Sequence, residues 1–130
     1  MMIEQVSLYL IAIILGIMLF FSFVVAPLVF TTLNERNAAI FIRRIFPYYY
    51  NVNLVISSIV LLIFISLGKF VIEFYLILAI TILFGISNYL LMPLINKYRD
   101  KKEDQKFKYS HLISVIINFI QIIFLVYLLI

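Results

Sequence analysis

Charged residues divide this chain of 130 amino acids into four long apolar stretches. Residues 5–34, between Glu4 and Glu35, form a charge-free run of 30, and residues 45–68, between Arg44 and Lys69, one of 24. Residues 74–96, between Glu73 and Lys97, form a run of 23, and 109–130, after Lys108, one of 22. An α-helix rises about 1.5 Å per residue and the hydrocarbon core of a bilayer is about 30 Å thick, so about 20 residues cross it. Each run suffices for one crossing and none for two. Strands of a membrane barrel would be segments of about 10 residues with alternating polarity, whereas these runs are apolar on every side. The pattern predicts an all-α fold, an integral membrane four-helix bundle in one domain covering 1–130, with helices at about 5–33, 46–68, 72–96 and 107–130.

The first run exceeds one untilted crossing and holds Pro27 within Ala26-Pro27-Leu28, while the third holds Pro93. Proline lacks a backbone donor and its ring crowds the carbonyl four residues earlier, so helix kinks are expected at both. Between the first two runs, Ala38, Phe41, Ile42 and Ile45 recur at helical spacing opposite Arg36, Arg43 and Arg44, with Asn34 placed as an N-cap. That predicts a short interfacial helix at 35–45, its basic side toward anionic headgroups. Lys97 to Lys108 mixes both charge signs and reads as a solvated loop. A removable leader is the rival reading of the first run. Only the amino group is basic ahead of it, and Pro27 directly follows Ala26, the candidate cleavage residue, so the segment is expected to be retained.

Charge sets the expected orientation. Nine of the ten Lys and Arg residues lie in the first and third connections, leaving Lys69 alone on the other side. The positive-inside rule makes those connections cytoplasmic and both termini non-cytoplasmic, and a bacterial inner membrane is the expected location. Composition agrees with lipid as the solvent: 66% of residues are hydrophobic, 12% charged, and mean hydropathy is +1.21, where soluble domains carry about a quarter charged residues. Orientation also accounts for the net charge of +4, so a nucleic-acid partner is not expected. The absence of cysteine rules out disulfides, thiolate metal sites and thiol catalysis.

The two halves resemble one another. Ser22-Phe23-Val24-Val25-Ala26-Pro27-Leu28 aligns with Asn88-Tyr89-Leu90-Leu91-Met92-Pro93-Leu94 at an offset of 66, and Phe46-Pro47-Tyr48 with Phe107-Lys108-Tyr109 at 61. Both hairpins start on the same side, so a true repeat is parallel, about an axis along the membrane normal; chance likeness of apolar segments is the alternative. Under the second offset Tyr50, Asn53 and Ser57 correspond to His111, Ser114 and Asn118, a polar stripe at i, i+3 and i+7 on each helix. With Asn88, these residues form the candidate interior polar stripe. Its bland reading is helix–helix glue, as for Gln121, while Gly16, Ser22, Gly85 and Ser87 are small enough for close helix approach.

His111 is the chain's one imidazole and its sharpest candidate for metal, haem or proton chemistry, against a structural role at the interface. One histidine does not supply two axial ligands. Met18 and Met92 are candidate soft copper ligands, against ordinary packing. No Asp, Glu, Lys or Arg lies centrally in any run, which weighs against proton-coupled transport and charged filters. The Tyr48-Tyr49-Tyr50 run reads as an interfacial anchor. The leading expectation is a non-enzymatic, cofactor-free component of membrane homeostasis or of a larger complex, with lipid, further copies or a membrane protein as partners. The alternatives are a haem- or copper-linked redox protein using His111, and passive permeation of a small solute.

The run Gly16 to Phe30, with Ile45-Phe46-Pro47-Tyr48-Tyr49, Asn88 to Pro93 and His111-Leu112-Ile113-Ser114-Val115-Ile116-Ile117-Asn118, resembles the transmembrane protein 205-like family over nearly the whole chain. The resemblance implies a four-helix membrane domain without an assigned activity in its bacterial members; eukaryotic relatives are associated with drug or metal tolerance. This sequence has Leu15-Gly16 where the family has a Trp-Gly pair. A more distant likeness is to copper-resistance D and membrane protoporphyrinogen oxidase proteins, which use membrane histidines. This chain has no histidine in its first run.

Overall fold

A computed structural model describes residues 2–130. They form four helices: α1 (Met2–Thr32), α2 (Glu35–Ser66), α3 (Ile72–Asp100) and α4 (Asp104–Leu129), each long and apolar enough to cross a membrane. The order around the bundle is α1, α2, α3, α4, with α1 and α4 also packed together. Buried Ile11, Ile14 and Met18 of α1, Val60 and Phe64 of α2, Ile77, Ile80 and Phe84 of α3, and Leu125 and Leu128 of α4 form the core. The outward face is equally apolar, with Val55, Leu62, Ile116 and Ile123 exposed. Lipid tails are as apolar as these side chains, so close packing and internal hydrogen bonds hold the helices together.

Helices α1 and α3 each contain one π-helical turn, Phe21–Val25 and Ser87–Leu91, ending just before Ala26-Pro27 and Met92-Pro93. Pro27 and Pro93 leave the carbonyls four residues earlier without their usual donors. The backbone takes up the mismatch by reaching back five residues, Ala26 N–H to the Phe21 carbonyl and Met92 N–H to that of Ser87. The expected disruptions therefore take the form of π turns, 66 positions apart like the first block of the internal repeat.

At one end Lys69 pairs with Glu4 at 2.8 Å, and at the other Arg43 pairs with Asp100 at 2.8 Å. The Arg43–Asp100 end carries the connections rich in Lys and Arg.

Four local expectations need correction. Residues 35–45 are not a separate interfacial helix but the first turns of α2, started by Asn34, whose Oδ1 accepts from the Asn37 N–H at 2.8 Å. Their apolar side meets α1, with Ala38 and Ile42 buried against Val29. Helix α2 passes through Pro47 unbroken and at about 1.5 Å per residue exceeds the hydrocarbon core, so these first turns extend beyond it. The charged connection is a turn at 101–103, because α3 and α4 run into it from either side. Of the tyrosine run, Tyr48 faces outward while Tyr49 and Tyr50 are buried. A Cβ at Gly16 or Gly85 would meet nothing within 4 Å, so neither glycine marks a close helix approach.

Helix α2 ends on Gly68, in the left-handed region at φ +66°, with Lys69 N–H donating to the Phe64 carbonyl at 3.0 Å. The same arrangement closes α3, where Lys102 has φ +54° and Glu103 N–H donates to the Tyr98 carbonyl at 3.0 Å. A side chain in this conformation costs about 1 kcal/mol. Gly68→Ala is expected to lower stability by about that amount and Lys102→Gly to raise it by somewhat less. Unfolding midpoints in mixed micelles measure both.

Candidate functional site: a cleft between α1 and α4

Past the π turns the two hairpins part. Ala26–Thr32 packs on the start of α2, and Met92–Asp100 on the start of α4. Between them lies a cavity of about 250 Å³ at the basic end of the bundle. Its floor is aromatic: Phe21 stacks on Tyr49 at 4.3 Å between ring centres, and Phe46 on Tyr50 at 5.6 Å. Two hydrogen bonds cross this floor. The Tyr49 hydroxyl donates to Asn118 Oδ1 at 3.0 Å, and Asn118 Nδ2 donates to Ser22 Oγ at 2.9 Å. Three helices are tied there, and the apolar core begins beneath.

The mouth is lateral. Phe23 and Phe30 of α1 are 60% and 54% exposed, and Phe119 of α4 is 48% exposed, yet all three line the cavity. They stand on the outer faces of their helices, so the cleft opens toward lipid. Arg99 lines the wall nearest the charged turn, its guanidinium over the Phe107 ring at 4.7 Å from the centre. Phe107 in turn stacks against His111 at 6.0 Å.

Of the residues singled out from sequence, Tyr50, His111, Ser114 and Asn118 line this cavity. Asn53 and Ser57 lie fully buried and do not line it. Asn88 faces a smaller recess of about 100 Å³ with Arg43, Pro47, Pro93 and Asn96. Its Nδ2 donates to Asn51 Oδ1 at 2.9 Å, and the Tyr89 hydroxyl donates to the same oxygen at 3.1 Å. Ser57 and Ser114 donate within their own helices, to the carbonyls of Leu54 and His111. His111 is exposed at the rim rather than interior, since the start of α4 turns that face outward. The stripe is thus divided between cavity wall, core and recess. Deeper in the bundle, Gln121 Nε2 donates to the Ile80 carbonyl at 3.0 Å.

Sequence reasoning did not single out Tyr49, Asn51 and Arg99, or give Ser22 a hydrogen-bonding role. Tyr49 had one usable signal, its position four residues before Asn53 on one helical face. Arg99 had none, because one cation among several carries no mark of the one that turns inward. Met92 lines the cavity, whereas Met18 sits in the core away from it. Among the described residues no three His, Asp or Glu side chains converge as a metal site.

Fold and cleft define a small integral membrane protein, a four-helix bundle with a lateral opening among its helix ends. The chain belongs to the family described as Domain of unknown function (DUF4149), whose sequence profile matches residues 9–104. The match takes in most of α1, all of α2 and α3, and the turn before α4; the α4 wall of the cleft lies beyond it. An uncharacterized protein of Aquifex aeolicus (strain VF5) is 26% identical over 115 residues, spanning 88% of this chain and 85% of that protein. No solved structure matches.

Proposed function

We propose that this protein is a component of membrane homeostasis that works by holding a small, largely apolar molecule taken laterally from the bilayer, without chemical conversion of it. The observation that carries the reading is the cleft: an aromatic floor, a few convergent polar groups and a mouth on the lipid-facing side, the usual makeup of a small-molecule site. The likeness to transmembrane protein 205-like proteins belongs to the same reading, since Ala26, His111, Ser114 and Asn118, residues that carry it, line the cavity. The basic end lies at the cytoplasmic face of a bacterial inner membrane in this proposal, on the strength of its nine cations.

Filling the cavity is the test. Ser114→Leu and Val115→Phe each place bulk on its wall. Mass spectrometry of organic extracts from protein purified in mild detergent should find a near-stoichiometric apolar molecule in the native chain and much less in either variant. Equal retention by all three proteins, each with an unaltered helical spectrum, would end the binding reading. A metal-linked use of the same cavity rests on one observation, that His111 and Met92 share its wall. A visible absorption band or bound copper that disappears in His111→Ala would establish that use instead.

A further inference from the structure

The geometry points to a ligand class for this cleft: a single-chain lipid with an anionic head, seated with its head at Arg99 and His111 and its chain running between α1 and α4 past Phe119 and Phe23. This inference rests on the binding reading above and adds the ligand's charge, shape and direction.

The charge follows from Arg99. Arg43, Lys69 and Lys106 have carboxylate partners; of the cations with none among the described residues, Arg99 alone lines this cavity, half-buried on its wall. Its guanidinium carbon lies instead over the ring of Phe107, a contact that uses none of its N–H donors, and those donors have no acceptor among the described residues. His111, stacked on the same Phe107, adds a ring nitrogen to the same wall, and Asn96 brings an amide. A planar fork beside an imidazole and an amide suits a carboxylate or a phosphate monoester.

The direction follows from the membrane. Arg99 and Phe107 stand beside the charged turn, at headgroup level, while Phe23 and Phe119 are three turns deeper along α4 and meet edge-on at 6.5 Å. A cation at the surface and a deeper wall that is uncharged and largely aromatic, its Ser22 and Asn118 already hydrogen-bonded to one another, match an amphiphile in its ordinary bilayer orientation. The shape follows from volume. A cavity of about 150 Å³ holds one benzene, so this one of about 250 Å³ takes a head and the upper part of one chain. The remainder leaves through the lateral mouth into lipid.

The test uses the full-length protein in nanodiscs of neutral lipid, with radiolabelled dodecyl phosphate and dodecanol as probes. Dodecyl phosphate should bind saturably and at least tenfold more tightly than dodecanol, with affinity falling about tenfold or more in Arg99→Gln and partly restored in Arg99→Lys. Inorganic phosphate should compete only weakly, because the chain shares in binding. If dodecanol binds as well as dodecyl phosphate and Arg99→Gln changes neither, the anionic head is wrong while the cavity reading stands. If neither probe binds, the single-chain lipid is wrong, and the extraction experiment above decides the binding reading separately. Dodecyl phosphate binding that Ser114→Leu and Val115→Phe leave intact would place the anion on the outer basic surface and overturn the seat proposed here; Arg99→Lys and these two variants also guard against loss of binding through misfolding of Arg99→Gln.

Discussion

Replacing Asn118 with leucine is expected to destabilise the bundle by about 1–3 kcal/mol, seen as a lower midpoint in sodium dodecyl sulfate titrations of the protein in mixed micelles. Asn118 is the junction of the cavity floor, accepting from the Tyr49 hydroxyl of α2 and donating to Ser22 of α1. Hydrogen bonds between membrane helices contribute about 0.6 kcal/mol on average and up to about 1.7 kcal/mol each, less than their strength in hydrocarbon because the separated helices also find partners. Two are lost together, and the buried Tyr49 hydroxyl loses its acceptor. Leucine has the branching of asparagine but more bulk, which the adjoining cavity can take up, so packing contributes little to the change. Ser22→Ala removes only one of the two bonds and leaves Asn118 an accessible cavity, and it should cost about half as much. Equal stability of Asn118→Leu and the native chain would mean that this crossing adds nothing to assembly.

The opposite sign is expected one turn deeper. Asn53 is fully buried, and neither its Oδ1 nor its Nδ2 has a hydrogen-bond partner among the described residues. Confining an unpartnered amide to an apolar interior costs about 1–3 kcal/mol, and Asn53→Leu should recover part of it, the bulkier leucine offsetting the rest by crowding a fully buried site. The same chemical substitution therefore separates two asparagines that look alike in sequence, one that ties helices and one that does not. A loss of stability in Asn53→Leu similar to that in Asn118→Leu would show that Asn53 engages a partner in the bilayer-embedded protein. Asn53 does not line the cavity, so ligand retention is expected to be unchanged in Asn53→Leu, which distinguishes a contribution to the core from one to the site.

The corrections share a physical origin. Tyr48, Tyr49 and Tyr50 are chemically the same, and the turn of α2 alone sends one outward and two into the bundle. Gly16 and Gly85 are small, but smallness brings helices together only where a neighbour stands opposite, and none does. The stripe of His111, Ser114 and Asn118 has helical spacing, yet Asn118 reaches inward, Ser114 donates to its own helix, and His111 faces the rim.

The class of the protein is legible in its residue pattern. Four charge-free runs of sufficient length leave a chain in lipid no way to satisfy its backbone except as four helices, and the two Ala-Pro and Met-Pro steps mark where α1 and α3 depart from regular winding. These properties depend on neighbours a few residues apart. Helix packing, by contrast, is what brings Tyr49, Asn118 and Ser22 together across three helices, turns Arg99 rather than another cation to the cavity, and opens the cleft between α1 and α4. In runs apolar on every face, hydropathy does not distinguish the side that packs on protein from the side that faces lipid. That choice rests on shape and on scattered hydrogen bonds between residues up to 96 positions apart.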